Sequence, residues 1–222
     1  MTTRNAARTI AALLLLQAAC GPIVNFVLLK WITASAFLEQ ASAHATEIGL
    51  AVVIGLAMHA FAVGIAVVAL PVLRTRSVAM ASWLLAFAVV GFAGAVVEYS
   101  NSLSMLSFSQ AFAKADAPGA DVLRTLAPGA AAPRIWAHFI GLMIAGGFAF
   151  TLYAALFRFA LVPRVLAGFG ALAACSEIIA VAMPLFGQPV VFPMIAPLGL
   201  AHLALVVWLL AKGFAEPATA RA

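Results

Sequence analysis

The sequence predicts an all-α, polytopic membrane protein of six transmembrane helices with both termini cytoplasmic. Three observations predict it. Six apolar stretches take up most of the chain, only 9% of its residues are charged against 66% hydrophobic, and Arg and Lys gather in alternate connections between the stretches. A run of about 20 apolar residues, rising about 1.5 Å each, crosses a hydrocarbon core of about 30 Å, and a helix does so with every backbone polar group satisfied. Soluble domains carry about 25% charged residues. This chain has too little polar surface to cover a particle in water.

The first span runs from Thr9 to Leu29, after Arg4 and Arg8. It has the look of a signal peptide, but Gln17 sits badly before a cleavage point at Cys20, and the apolar run continues through Gly21 and Pro22. A span is the better reading. Pro22 is expected to kink this helix or to free a carbonyl near Ala18. The other spans are Ile48 to Leu73, Ser77 to Val97, Ile135 to Phe157, Val165 to Phe186 and Met194 to Ala211. Residues 1–214 make one domain, and 215–222 a short cytoplasmic tail.

Two outer connections carry apolar residues of their own. In the long one, Glu98 to Arg134, the stretch Ser100 to Ala113 sets Leu103, Leu106 and Phe112 among Ser, Asn and Gln. It either prolongs the third helix or lies in the outer interface. Its second half, Ala115 to Pro133, is rich in Ala, Pro and Gly. The first outer connection, Trp31 to Thr46, carries Trp31, Ile32, Phe37 and Leu38 and is expected to behave like the first half.

Loop charges set the orientation. Arg4, Arg8, Arg74, Arg76, Arg158, Arg164, Lys212 and Arg221 fall on one side, against Lys30, Lys114, Arg124 and Arg134 on the other. The richer side is expected to be cytoplasmic. The formal net charge of +5 is therefore an orientation signal and not a nucleic-acid footprint. Arg158, Pro163 and Arg164 read as a tight inner turn held at the lipid head groups. Cys20 and Cys175, both inside spans, read as small hydrophobes and not as a disulfide. Gly141, Ala145 and Ala149, like Gly91 and Ala95, recur at the spacing that lets helices pack closely.

No nucleotide loop, metal-ligand cluster or complete nucleophile constellation is legible. Chemistry, where there is any, should lie with the ionisable residues in or beside the spans: Glu47, His59, Glu98, His138, Glu177 and His202. A charge at the bilayer centre costs roughly 2.5 to 3.5 kcal/mol on insertion scales, so each should face the bundle, a cavity or the interface. By residue count Glu47, Glu98 and His138 lie within about 6 Å of the outer interface, and His59, Glu177 and His202 roughly 11 to 17 Å deep. With Asn25 they outline a polar pocket open to the outside, and His59, Glu177 and His202 are expected to converge in it. The plainer readings are interfacial residues touching water for the first three, and interhelical hydrogen bonds for the deeper ones.

Val63-Gly64-Ile65-Ala66, Pro71-Val72-Leu73-Arg74, Ser109-Gln110, Leu161-Val162-Pro163-Arg164 and the closing Trp208-Leu209-Leu210 with Lys212-Gly213-Phe214 resemble the domain-of-unknown-function 4386 family of bacterial six-helix membrane proteins. The resemblance covers roughly Ala51 to Phe214. It implies a six-helix fold in the bacterial cytoplasmic (inner) membrane and brings no activity with it. Members often carry an Arg and Glu pair in the third helix, where this chain has residues such as Ala88 and Gly91, and tend to carry Glu where it has His202.

Three classes of function remain. The first is a binding or accessory protein, or an enzyme, for a lipid-like or isoprenoid molecule entering from the outer leaflet, with a desolvated Glu as a general acid in the enzymatic case. The second is a haem or metal protein with ligands from His59 and His202. The third is a small proton-coupled transporter, although no inverted repeat is visible. Membrane lipids are expected partners, and a homo-oligomer is compatible with the sequence.

Overall fold

A computed structural model describes residues 2–215; Met1 and residues 216–222, and so most of the expected tail with Arg221, lie outside the described residues. Eight α-helices make up most of it: α1 Thr3–Pro22, α2 Lys30–Thr33, α3 Phe37–Gln40, α4 Ala45–Arg74, α5 Val78–Phe112, α6 Ala117–Arg158, α7 Arg164–Ala182 and α8 Ala196–Ala211. Six helical segments are long and apolar enough to cross a membrane. The face bearing Arg74, Arg76, Arg158 and Arg164 is called inner, after the loop charges that the positive-inside rule assigns to the cytoplasm, and the opposite face is called outer.

Local chemistry explains where the helices begin and turn. Thr2, Ser77 and Asp116 cap α1, α5 and α6 by accepting hydrogen bonds from the backbone N–H three residues on, at 3.2, 3.3 and 3.0 Å. Pro22, lacking an N–H, ends α1, and the chain runs on as a π-turn over Ile23–Leu28 closed by Leu29 N–H to Val24 O. The inner turn expected around Pro163 is present, with Arg158 and Arg164 both exposed. Gly213, at φ +73°, takes the left-handed conformation that stops α8, and Ala215 then donates to Leu161 O in that turn at 2.8 Å.

The long outer connection meets the expectation in its first half, where the third helix is prolonged, and differs from it in the second. The third spanning helix runs on to Phe112, and the next starts at Ala117 and not near Ile135, passing through Pro128 and Pro133 without ending. The prolines each remove one hydrogen bond, but the alanines between them are the strongest helix formers, and Pro118 sits in the first turn where a missing N–H is harmless. At 35 and 42 residues these helices measure about 52 and 63 Å. They outreach a core of about 30 Å and stand beyond it as a helical hairpin.

The spanning helices form a closed ring: α4, α5, α6, α7 and α8 each pack on the next, and α1 packs on both α4 and α8. Contact between helices in lipid depends on close packing. α6 supplies it at Gly146, whose missing side chain makes room for Ile178 of α7, and Gly147, which does the same for Phe87 of α5. Of the alanines in the small-residue pattern on this helix, Ala149 is buried and Ala145 is exposed. The inner half is filled by residues such as Ile10, Ile65, Leu84 and Leu205 around a fully buried Tyr153, whose ring lies on Gly170.

The first outer connection packs over the hairpin. Ile32, Phe37 and Leu38 bury themselves against Met105, Leu106 and Ala127. Ser109, itself fully buried, donates to Leu38 O at 2.7 Å and accepts from Ser42 N–H at 2.8 Å, so one hydroxyl fastens this cover at two points.

Candidate functional site

Glu98 on α5 is 7% exposed and sits at the outer end of the ring. Its Oε1 accepts from Arg134 Nη2 at 3.2 Å and from His138 Nδ1 at 2.9 Å. Arg134 and His138 are four residues apart on α6 and so project from one face towards the same carboxylate. An ionised carboxylate only accepts, which places the proton of a neutral His138 on Nδ1 and leaves Nε2 as its acceptor. One turn further along α6, Gly141 keeps space open beside Glu98 Oε2.

A second layer adjoins this pair of helices. Tyr99, next to Glu98, lays its ring on Gly55 of α4, at the point where any Cβ would be. His59, one turn along α4, meets the Tyr99 ring edge-on at 6.3 Å between centroids and donates from Nδ1 to Gly55 O at 2.8 Å. Glu98, Tyr99, Arg134, His138 and His59 therefore form one polar cluster shared by α4, α5 and α6.

The remaining candidates have other neighbours. Asn25 donates to Gly21 O at 3.0 Å, steadying the π-turn after Pro22. Glu47 pairs with His44 at 3.1 Å, and His44 stacks on Trp31 at 3.6 Å, which places Glu47 in the outer cover. His202 packs against Tyr153, with ring centroids 5.6 Å apart. Glu177 makes no hydrogen bond among the described residues. Within that same set, His59, Glu177 and His202 share no hydrogen bond or ring contact, and no group of three His, Cys, Asp or Glu stands in metal-binding proximity. Cys20 and Cys175 are both free.

Between the outer cover and the hairpin lies a cavity of about 430 Å³. Ile32, Phe37, Leu38, Met105 and Ala131 supply apolar lining, and Arg134, Arg124 and Glu39 supply polar lining. Arg134 thus belongs both to the cavity lining and to the Glu98 cluster. Arg124 is exposed, bound to Asp121 at 3.1 Å and set over the Phe112 ring. Sequence reasoning misses Arg134 as a site residue because it follows Pro133 and reads as a loop charge. The available signal is its spacing from His138.

These features define a six-helix integral membrane protein with a Glu–Arg–His cluster, its Glu and Arg buried and its His half-buried, beside an outer cavity. Residues 9–213 match the family described as Domain of unknown function (DUF4386), and the chain belongs to that family. No curated protein and no solved structure matches it.

Proposed function

We propose that this protein binds a lipid-like or isoprenoid small molecule in its outer cavity, as a binding or accessory protein of the bacterial inner membrane. The observation that supports this is the cavity itself. Its volume of about 430 Å³ lies within the range of small-molecule sites, roughly 300 to 1,000 Å³, and such sites combine apolar walls with a few polar groups. Phe37, Leu38 and Met105 suit an isoprenoid or acyl chain. Arg134 suits a polar end.

The test is to fill the space. The Ala131→Trp variant places an indole in the cavity, while Leu126→Trp, at an exposed position of the same helix, serves as the control. Purified protein should bind a fluorescent fatty alcohol saturably, and Ala131→Trp should weaken this by about tenfold or more, given the roughly 1 to 3 kcal/mol of an overpacked site. Equal binding by both variants, or none by the parent chain, would overturn the reading.

A further inference from the structure

We propose that the polar end of the ligand is an oxyanion, a phosphate or carboxylate, gripped by the guanidinium of Arg134. This rests on the cavity being a ligand site. It adds the chemistry of the head.

A guanidinium carries five N–H donors in a planar fork and needs acceptors for them when it is taken out of water. Arg134 is only 6% exposed, yet among the described residues it donates solely through Nη2, to Glu98. Its Nε–H is buried with no partner. An unmet donor on a charged, buried group is costly to keep. That Nε–H is closed to solvent, so the donors Arg134 offers to the cavity it lines are those of Nη1 and the second hydrogen of Nη2, which make no hydrogen bond among the described residues.

The surroundings hold the fork in place. Glu98 takes one edge of the guanidinium, and His138 holds Glu98 through the same oxygen. The remaining N–H groups are left for an acceptor, and a phosphate or carboxylate is the planar-fork partner that answers them with charge-assisted bonds. Glu39 also lines the cavity, but it is exposed to water, where solvent screens its repulsion. A neutral head such as an alcohol would leave most of the donors unanswered, and an ammonium would meet Arg134 as a like charge.

The experiment uses the full chain in a neutral maltoside micelle and compares dodecyl phosphate, dodecanoate, dodecanol and inorganic phosphate by displacement of the fluorescent fatty alcohol and by calorimetry. Both anionic amphiphiles should bind at least about tenfold more tightly than dodecanol, the increment of one or two charge-assisted hydrogen bonds. In Arg134→Lys, which lacks the fork, that ratio should shrink. In the Glu98→Gln/Arg134→Gln double variant, which removes both charges together and so avoids a stranded carboxylate, it should approach one. Inorganic phosphate binding as tightly as dodecyl phosphate would support the oxyanion grip and identify a free anion as its source, against a chain-bearing ligand. Equal affinity for all three amphiphiles would overturn the oxyanion proposal while the cavity reading stands. No binding of any of them would remove both. A tenfold preference that persists in the double variant would also overturn it.

Discussion

Tyr99 occupies the volume in which residue 55 would carry a side chain, so α4 and α5 meet at this level only because Gly55 has none. The contact positions the polar cluster, since Glu98 precedes Tyr99 and His59 lies one turn from Gly55. A Gly55→Ala substitution should cost about 1 to 3 kcal/mol by overpacking, read as a lower thermal aggregation midpoint in detergent. Adding Tyr99→Val should restore part of that loss. An unchanged midpoint in the single variant would show that the ring is free to leave.

The Glu98–Arg134 pair should behave as a coupled unit. Removing Glu98 strands Arg134 in a low-dielectric site, and removing Arg134 leaves the buried carboxylate with His138 alone, each at up to about 3 to 5 kcal/mol. Arg134→Gln and Glu98→Gln should therefore each be strongly destabilising in SDS titrations. The double variant should lose clearly less than the two together, which a mutant cycle measures directly. Additive losses would mean that the two groups do not interact.

Much of the fold is legible from hydropathy, because spanning a bilayer is a demand on composition and length that each apolar stretch meets separately. The hairpin beyond the membrane is harder to read. Outside lipid the apolar signal fades, and Pro128 and Pro133 punctuate a helix whose neighbours in sequence are alanines. Glu98 and His138 are recognisable as candidates because one sits next to a span and the other inside one, whereas Arg134 takes its meaning only once α6 is seen to continue past Pro133. His202 and Tyr153 illustrate a different limit: they lie on helices that are not adjacent in sequence, and no periodicity within one helix reports a partner on another.

Ser109→Ala removes both fastenings of the outer cover and leaves Leu38 O and Ser42 N–H without their partner. Each such loss is worth about 1 to 3 kcal/mol when the group stays buried. Amide exchange over residues 36–44 should accelerate, while the ring helices exchange as before. A cover that exchanges at the parent rate would assign its hold to Phe37 and Leu38 packing alone.

Orientation is open to direct measurement. Reporter fusions after Arg76 and after Asp121 should give opposite signals, with the first cytoplasmic, as the distribution of Arg and Lys requires. The reverse pair of signals would invert the faces and put the cavity on the inside. Identical signals would break the six-span reading.

The closed ring has a consequence for biogenesis. Five of its six seams join helices that leave the ribosome one after another, and can form in the order of synthesis. The sixth, between α1 and α8, joins the earliest helix to the latest, so α1 waits in the bilayer with one flank bare until the rest has been inserted. Gly213, just past α8, comes to rest beside Arg4 and Ala7, and Ala215 then latches onto Leu161. Until that last seam closes, the helices stand as an open row and not a ring, and the flank of α1 that α8 covers faces lipid.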